Sequence, residues 1–429
     1  MGMRDMAIDY DLLPKRSILC IDVKSFFASV EAVRRKIHPL DAYIIVVSDK
    51  KRPGSVVLAS SPRVKGEFGI KTGSRMFEIP NDERLMIVEP SMKLYLKVNS
   101  MIIEIFKRFV PVEDLHIYSI DEVFLDVTAS WRLFGDKFEI ARKIQRTIFK
   151  ELKLVVTVGI GDNPLLAKLA LDNEAKNASG GIAYWSYQNI EETIWKIPRL
   201  GDMWGVSHGY IKKLNNMGIH SVYDLVHADK HKLKDRFGIM GLQLYYHAWG
   251  VDYSILSEKI KTREKSFSKS QILQRYYYME EEIVLVIREM VDEVAMRLRA
   301  NNVAAGKVAL GLAYSRDIEE KGFKHQRLLH RGTNSTKELT VYFIQIFKCY
   351  WRGQWVRQIY VVCGKLQPAI YEQLDLFTSN EQLERNQMLD EIMDTIRLRY
   401  GKDAIFWACS LMKGGTFLKR ANHVGGHKG

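Results

Sequence analysis

The chain has 429 residues, 47% of them hydrophobic, and carries a formal net charge of +13. This length suggests two to four domains with ample apolar residues for several cores, and the charge favours a polyanionic partner such as nucleic acid, although a basic surface can also serve solubility alone. No uninterrupted apolar run is long enough to span a membrane, the N-terminus lacks a secretory signal, and the four cysteines show no C-x-x-C spacing. These features exclude a helical membrane protein and a disulfide or zinc framework, and they favour the cytoplasm.

The first part of the chain alternates strand and helix patterns. An apolar strand is predicted at 17–22, and an amphipathic helix follows at 25–37. A second strand-rich stretch precedes a long helix at 94–109, after which two apolar runs form a hairpin. Strands are predicted at 43–48, 55–59 and 85–88, and the two runs of the hairpin at 115–118 and 123–127. A helix at 137–152 and a strand at 154–160 follow, and Pro164 starts another helix. This order implies a sheet backed by helices.

Later segments differ in pattern. Residues 187–258 contain short helices broken by glycines, and the charged stretch that follows reads as a domain boundary. Strands and helices mix again from 266 to 368, and 381–399 is predicted as a helix. The final residues, 413–429, are rich in turn-forming residues and are expected to be loose.

Three carboxylates stand at the ends of predicted strands. Asp22 ends the first strand, and the sequence Ser119-Ile120-Asp121-Glu122 joins the two runs of the hairpin. Paired carboxylates can clamp two divalent cations about 4 Å apart, which stabilises an in-line phosphoryl displacement. The alternative is a solvated acidic turn. Because adjacent residues of an extended strand point to opposite faces, the metal interpretation requires the chain to bend at Asp121 and Glu122.

Two stretches resemble the motifs of the Y-family DNA polymerases, the translesion enzymes. The first is Ile21-Asp22-Val23-Lys24-Ser25-Phe26-Phe27-Ala28-Ser29-Val30-Glu31, and the second is Tyr118-Ser119-Ile120-Asp121-Glu122-Val123-Phe124-Leu125-Asp126. The similarity covers about residues 16–377, and a short stretch around Thr333-Asn334-Ser335-Thr336 is closer to the UmuC-like branch.

The resemblance implies an α+β multidomain fold, a right-handed polymerase with a ferredoxin-like palm, small fingers, a helical thumb and an α/β little finger. The expected divisions are palm, 1–27 and 85–185; fingers, 28–84; thumb, 186–258; linker, 259–265; little finger, 266–372; and C-terminal tail, 373–429.

The family's reaction is attack of a primer 3′-hydroxyl on the α-phosphate of a dNTP. The resemblance implies that Asp22, Asp121 and Glu122 are the catalytic carboxylates, which bind two Mg²⁺ ions together with the backbone carbonyl of Val23. Two other interpretations stay open: a non-catalytic DNA- and clamp-binding protein with this fold, and a nucleotidyl cyclase with a similar palm.

The resemblance also implies nucleotide-binding residues. Phe27 would be a steric gate that rejects a 2′-hydroxyl, and Phe26 would pack against the sugar or the metal-site backbone, unless both are simply core residues. Either Arg63 or Lys65 would grip the triphosphate, or both lie on a solvated helix face. Lys176 would bind phosphate, whereas Lys168 in the preceding helix could equally be a surface lysine.

Two more segments imply partners. Gly205, Val206 and Ser207 resemble the turn of a helix-hairpin-helix that holds a DNA phosphate, unless they only connect two helices. A pentapeptide resembles the motif that binds the bacterial sliding clamp, or else it is an amphipathic strand of its own domain: Gln373, Leu374, Asp375, Leu376 and Phe377. The expected partners are primer–template DNA, dNTPs and the clamp. The enzyme is expected to be a monomer, and an accessory subunit is left open.

Overall fold

A computed structural model describes residues 8–258, 264–315, 319–369 and 380–428. These residues form two units, divided near residue 260. Five residues of the predicted linker, 259–263, and all of the predicted clamp-binding motif, 373–377, lie outside the described residues.

Strands and helices alternate through most of the first unit, as the sequence predicts. In chain order they are β1 (Ile18–Val23), α1 (Phe26–Arg34), β2 (Ile44–Val47), β3 (Val57–Ser60), α2 (Pro62–Phe68), β4 (Met86–Val88), α3 (Met92–Phe106), β5 (Leu115–Ile117), β6 (Glu122–Asp126), α4 (Trp131–Phe134), α5 (Lys137–Leu152), β7 (Val156–Gly161), α6 (Pro164–Ala170), β8 (Ile182–Trp185), α7 (His208–Asn215), α8 (Val222–Val226), α9 (Lys230–Phe237) and α10 (Ile239–Ala248).

A five-stranded sheet in the order β5-β6-β1-β7-β8 forms the centre of this unit. The strand β1 pairs antiparallel with both β6 and β7, and its apolar residues are buried on both faces. Leu19 and Ile21 pack with α3 and α5, whereas Ile18 and Cys20 pack with α6. Burial on both faces explains why β1 is a continuous apolar run rather than an alternating one.

A smaller sheet in the order β3-β2-β4 lies between β1 and α3 in sequence. The strand β4 runs parallel to β2, with Ile44 opposite Met86. The strand expected at 85–88 therefore belongs to the same sheet as β2 and β3 and not to the five-stranded sheet. The helices α7 to α10 follow, and their apolar residues join the cluster on the α6 side of the five-stranded sheet.

The second unit is built on a four-stranded sheet in the order β11-β10-β12-β9. Its elements are β9 (Phe267–Tyr277), α11 (Glu280–Ala300), β10 (Val303–Tyr314), β11 (Gly322–Thr333), α12 (Thr336–Tyr350), β12 (Val356–Pro368), α13 (Asn380–Tyr400), α14 (Phe417–Ala421), β13 (His423–Val424) and β14 (His427–Lys428). The helices α11 and α12 pack on one face of the sheet over an apolar core. Val308, Leu310 and Leu312 of β10 belong to that core because alternate side chains of a strand share a face.

The C-terminal region is not the loose tail expected from its turn-forming residues. Arg397 of α13 pairs with Asp292 of α11 at 2.8 Å, and both side chains are buried. The backbone amide and the hydroxyl of Thr416 donate to the Glu289 carboxylate. Such buried polar contacts are invisible in a pattern of turn residues. They fix residues from 380 onward to the second unit, so the region from 380 is a packed part of that unit rather than a tail.

Candidate active site

The strands β1 and β6 bring two of the predicted carboxylates together. Asp22 lies directly opposite Glu122 in the antiparallel register. Asp121 lies in the turn just before β6, and its carbonyl accepts a 3.0 Å hydrogen bond from the amide of Val23. All three carboxylates therefore lie at one end of the central strand pair.

The chain bends at Asp121, as the metal interpretation requires. The amides of Tyr118 and Ser119 both donate to the carbonyl of Glu122 at 3.0 Å, which closes a tight turn. The Ser119 hydroxyl donates to the Asp121 carboxylate at 2.6 Å, and the Asn99 side chain donates to the carbonyl of Ile120 at 2.6 Å. These contacts explain how consecutive carboxylates escape the strict alternation of a strand.

The environment of Asp22 disfavours its charge. Burial raises the pKa of Asp22 to about 7; the nearby Asp121 carboxylate adds to the rise, whereas Lys176 opposes it. The Lys176 ammonium lies 3.8 Å from the Asp22 carboxylate. A carboxylate that is buried beside a second carboxylate favours a bound cation. The positive charge offsets both the loss of solvation of the carboxylate and its repulsion by the neighbouring one.

Glu122 faces a different set of neighbours. Its buried carboxylate accepts hydrogen bonds from the Lys168 ammonium at 2.9 Å and from the Cys20 thiol at 3.2 Å. Burial and the neighbouring Glu122 raise the pKa of the Cys20 thiol. The backbone of Glu122 therefore lies opposite that of Asp22 on the neighbouring strand, but the Glu122 carboxylate binds Lys168.

Lys168, Asp172 and Lys176 form a row of alternating charges, here called the charge relay, which the sequence prediction missed. Lys168 also pairs with Asp172 at 2.8 Å, and Asp172 pairs with Lys176 at 2.7 Å. Burial alone would lower the pKa of Lys168, but the hydrogen bonds to Asp172 and Glu122 raise it above its ordinary value. The lysine left as a possible surface residue is therefore buried. Its spacing of four residues from Asp172, and of Asp172 from Lys176, is the signal that could have identified the relay.

A π-helical turn from Leu171 to Ala175 precedes Lys176. The amide of Lys176 donates to the carbonyl of Leu171 at 3.2 Å, five residues back rather than four. One additional residue in a turn rotates everything after it by about 100° relative to a regular α-helix. This turn therefore sets the direction in which Lys176 leaves the helix.

A cleft of about 500 Å³ lies in front of these residues. It brings together seven of the predicted site residues, which are Asp22, Val23, Phe26, Phe27, Lys65, Asp121 and Lys176. Glu122 and Arg63 do not line it. Ser25, Leu58, Ala59 and Thr72 complete much of the wall, and none of them was a sequence prediction.

Phe27 is held rigidly within this wall. Its ring stacks on Tyr95, with centroids 4.4 Å apart and planes 15° from parallel. The Tyr95 hydroxyl donates to the Glu31 carboxylate at 2.9 Å, and Glu31 is itself buried and paired with Arg35. Phe26, in contrast, is almost fully buried. Phe27 therefore presents one ring face to the protein and lines the cleft, and Phe26 supports the core.

The two basic residues of α2 point to different places. The Lys65 ammonium donates to the Ser25 hydroxyl at 2.8 Å, and although much of the side chain is exposed, the surroundings of the ammonium in the cleft lower the pKa of Lys65 through loss of solvation. Arg63 is exposed and lies 3.3 Å from Asp41. Of the two candidates, only Lys65 reaches the cleft.

The predicted helix-hairpin-helix turn lines a second cleft of about 780 Å³. Gly205 has a φ of 90°, a conformation that glycine adopts without strain, and α7 begins one residue after Ser207. The amide of Val206 is used inside the turn, where it donates to the carbonyl of Met203 at 3.2 Å. Gly205, Val206 and Ser207 all line this cleft, and so does Asp172 of the charge relay.

The donors around the first cleft suit magnesium. Carboxylate and carbonyl oxygens are the ligands that this hard cation prefers, and the raised pKa of Asp22 marks a place where positive charge is needed. Within the described residues, no three acidic, histidine or cysteine side chains already converge as a metal cluster. Asp22 and Asp121 with the Val23 carbonyl thus form the fitting set, and Glu122 joins it only by exchanging Lys168 for a cation.

Comparisons with known proteins agree on one family. Residues 21–172 match the profile of the impB/mucB/samB family, and residues 264–376 match the profile of its C-terminal domain. The chain is 43% identical to the "Putative UV-damage repair protein UvrX" of Bacillus subtilis over 98% of its length and 100% of the relative. It is 33% identical to DNA polymerase IV 2 of the same organism, over 97% of this chain and 100% of the relative.

A solved structure shares the fold. A Y-family DNA polymerase chimera superimposes with a TM-score of 0.67 at 20% identity, covering 82% of this chain and 99% of the chimera.

Among the described residues, no helix has the length and apolar character needed to cross a membrane.

Proposed function

Because this chain belongs to the impB/mucB/samB family, the Y family of DNA-directed DNA polymerases, we propose that it extends primers past damaged template by nucleotidyl transfer in the cleft beside Asp22. The enzyme acts as a cytoplasmic monomer on primer–template DNA and dNTPs. The observation that carries this proposal is the meeting of the Asp22 and Asp121 carboxylates, the Phe27 ring, Lys65 and Lys176 in one cleft.

Asp22, Asp121 and the Val23 carbonyl would hold two Mg²⁺ ions, with Glu122 as the additional ligand. When bound, these ions lower the pKa of the primer hydroxyl and neutralise the charge that develops on the triphosphate. The Ser119 hydroxyl restrains the Asp121 carboxylate at 2.6 Å, so the carboxylate is aligned before substrate arrives. Asp22 accepts cationic partners readily because its burial disfavours an unpaired charge.

The lysines and the aromatic ring bind the nucleotide in this proposal. Lys65 and Lys176 stand at the same cleft as the carboxylates, where their ammonium groups would contact triphosphate oxygens. Phe27 would lie under the deoxyribose, and its stack on Tyr95 prevents it from yielding to a 2′-hydroxyl. Gly205, Val206 and Ser207 would hold a DNA phosphate at the start of α7.

The catalytic proposal is tested by replacing Asp121 with alanine and measuring primer extension together with primer–template binding. Extension should be lost while DNA affinity stays within about threefold, because the change removes a metal ligand and no DNA contact. Asp126→Ala is the matched control, since Asp126 lies at the far end of β6 and its carboxylate accepts hydrogen bonds from the amide and the hydroxyl of Thr128. Extension by Asp121→Ala at the parental rate would overturn the assignment. Loss of extension in both variants would also count against it.

Clamp recruitment is a separate proposal. Its support is the sequence of residues 373–377, which resembles the clamp-binding peptide and overlaps the C-terminal end of the domain match at 264–376. Deleting these five residues should abolish stimulation of synthesis by the bacterial sliding clamp and leave distributive synthesis intact. Unchanged stimulation would refute recruitment by this segment. Loss of distributive synthesis as well would favour the alternative of a strand that packs on its own domain.

A further inference from the structure

The helix α13 is docked to the second unit by its polar side. Its inward residues include Asp390, Asp394 and Arg397, of which Asp390 and Arg397 are buried. Arg299 of α11 pairs with Asp390 at 3.1 Å and with Asp394 at 2.6 Å. Helices on the surface of a domain ordinarily bury their apolar stripe and expose charge. This one buries charged residues together with Met393 and exposes several of its other apolar residues.

The outward side of α13 carries an apolar stripe. Met388 is 63% exposed, Ile392 is 49% exposed and Tyr400 is 66% exposed. Leu389 and the half-buried Ile396 belong to the same stripe. With about 100° of rotation about the helix axis per residue, all five residues fall within a sector of about 120°. Turning this stripe inward would leave several buried charges unpaired, which costs far more than covering a few apolar side chains gains. The outward direction of the stripe is therefore fixed by the ion pairs beneath it.

An arginine stands at each end of the stripe. Arg385 and Arg399 are exposed, lie fourteen residues apart and point into the same sector as Met388 and Ile392. At 1.5 Å per residue the two are separated by about 21 Å along the helix axis. In the part of the chain that is described, no carboxylate pairs with either guanidinium, and Arg399 contacts only the ring of Tyr400.

These charges decide between two occupants of the stripe. If a second copy of this chain packed antiparallel around Ile392, Arg385 would face Arg399 of the other copy, and a parallel arrangement would place each arginine against itself. Both registers set like charges opposite each other and are unfavourable. A partner helix with an apolar stripe and a carboxylate near each end satisfies both the apolar residues and the arginines.

We propose that the outward face of α13 binds an amphipathic helix of a different protein, one that carries acidic residues about fourteen positions apart at the two ends of its apolar stripe. Such a helix packs side by side with α13 in the manner of a two-stranded coiled coil.

The test uses the full chain and two fluorescent, alanine-based helical peptides. Both carry leucines along one stripe; one has glutamates fourteen residues apart at its ends, and the other has lysines there. Anisotropy should show that the glutamate peptide binds about tenfold or more tightly than the lysine peptide. The double variant Arg385→Glu/Arg399→Glu should reverse this preference.

Single substitutions check the location. Ile392→Asp should abolish binding of the glutamate peptide. Leu398→Asp, which alters a more exposed apolar residue on a different side of α13, should leave it unchanged. Primer extension by each variant shows that it is folded, since neither residue belongs to the proposed catalytic or DNA-binding machinery. Equal affinity for both peptides, no binding of either, or retained binding by Ile392→Asp would overturn the proposal, as would a dimer of the full chain that Ile392→Asp dissociates.

Discussion

Lys65 and Arg63 lie two residues apart on α2, and their replacement tests which side chain binds the triphosphate. Lys65 lines the cleft and bonds to Ser25, whereas Arg63 is exposed and pairs with Asp41. A charge-assisted contact between an ammonium and a phosphate in a partly buried cleft is worth ~2–3 kcal/mol. Lys65→Ala should therefore raise the KM for dNTP by about 30- to 150-fold.

Arg63→Ala is the matched control. Its ion pair with Asp41 lies on the surface, where solvent screens it, so it contributes little to folding and nothing to nucleotide binding in this arrangement. Steady-state insertion of a single nucleotide at varied dNTP concentration measures both variants, and circular dichroism confirms that each is folded. A KM that rises in Arg63→Ala but not in Lys65→Ala would refute the assignment of the triphosphate contact. Equal changes in both would also refute it.

Three further predictions concern the cleft and the ion pair beside it. Phe27→Ala should admit ribonucleotides, because the ring that stacks on Tyr95 is removed; unchanged discrimination between dNTP and rNTP in an insertion assay would exclude Phe27 as the gate. Since the pKa of Asp22 is about 7, protons compete with Mg²⁺ below that value, so the Mg²⁺ concentration for half-maximal activity should fall as pH rises from 6 to 8; a flat profile would contradict this. Lys168→Met should lower the free energy of unfolding by ~3–5 kcal/mol in urea titrations, because it leaves the Glu122 carboxylate buried without its ion-pair partner; a loss below ~1 kcal/mol would show that the pair is not buried.

Local patterns predicted the elements that carry the carboxylates. The apolar run before Asp22 forms the central strand β1, and the hairpin places Glu122 opposite it. The bend at Asp121 was required by the alternation of side chains in a strand, and it is present. These features follow from short-range rules because each depends on neighbouring residues or on one strand pair.

The remaining features depend on contacts between distant parts of the chain. No local pattern indicates that Lys168 reaches Glu122, which is forty-six residues away, or that Lys65 turns towards Ser25 while Arg63 does not. The packing of the C-terminal region was missed for the same reason, since its anchors pair Arg397 with Asp292 and Thr416 with Glu289. Buried ion pairs between separate helices leave no periodic signal in either helix.

Template-directed nucleotidyl transfer in the cleft beside Asp22 can be measured by single-nucleotide insertion. The full chain with Mg²⁺ is given four primer–templates that differ only in the next template base. Each template should select its complementary dNTP, and Asp22→Asn should abolish insertion on all four. Insertion that ignores the template base, or insertion that persists in Asp22→Asn, would show that the cleft does not perform this reaction.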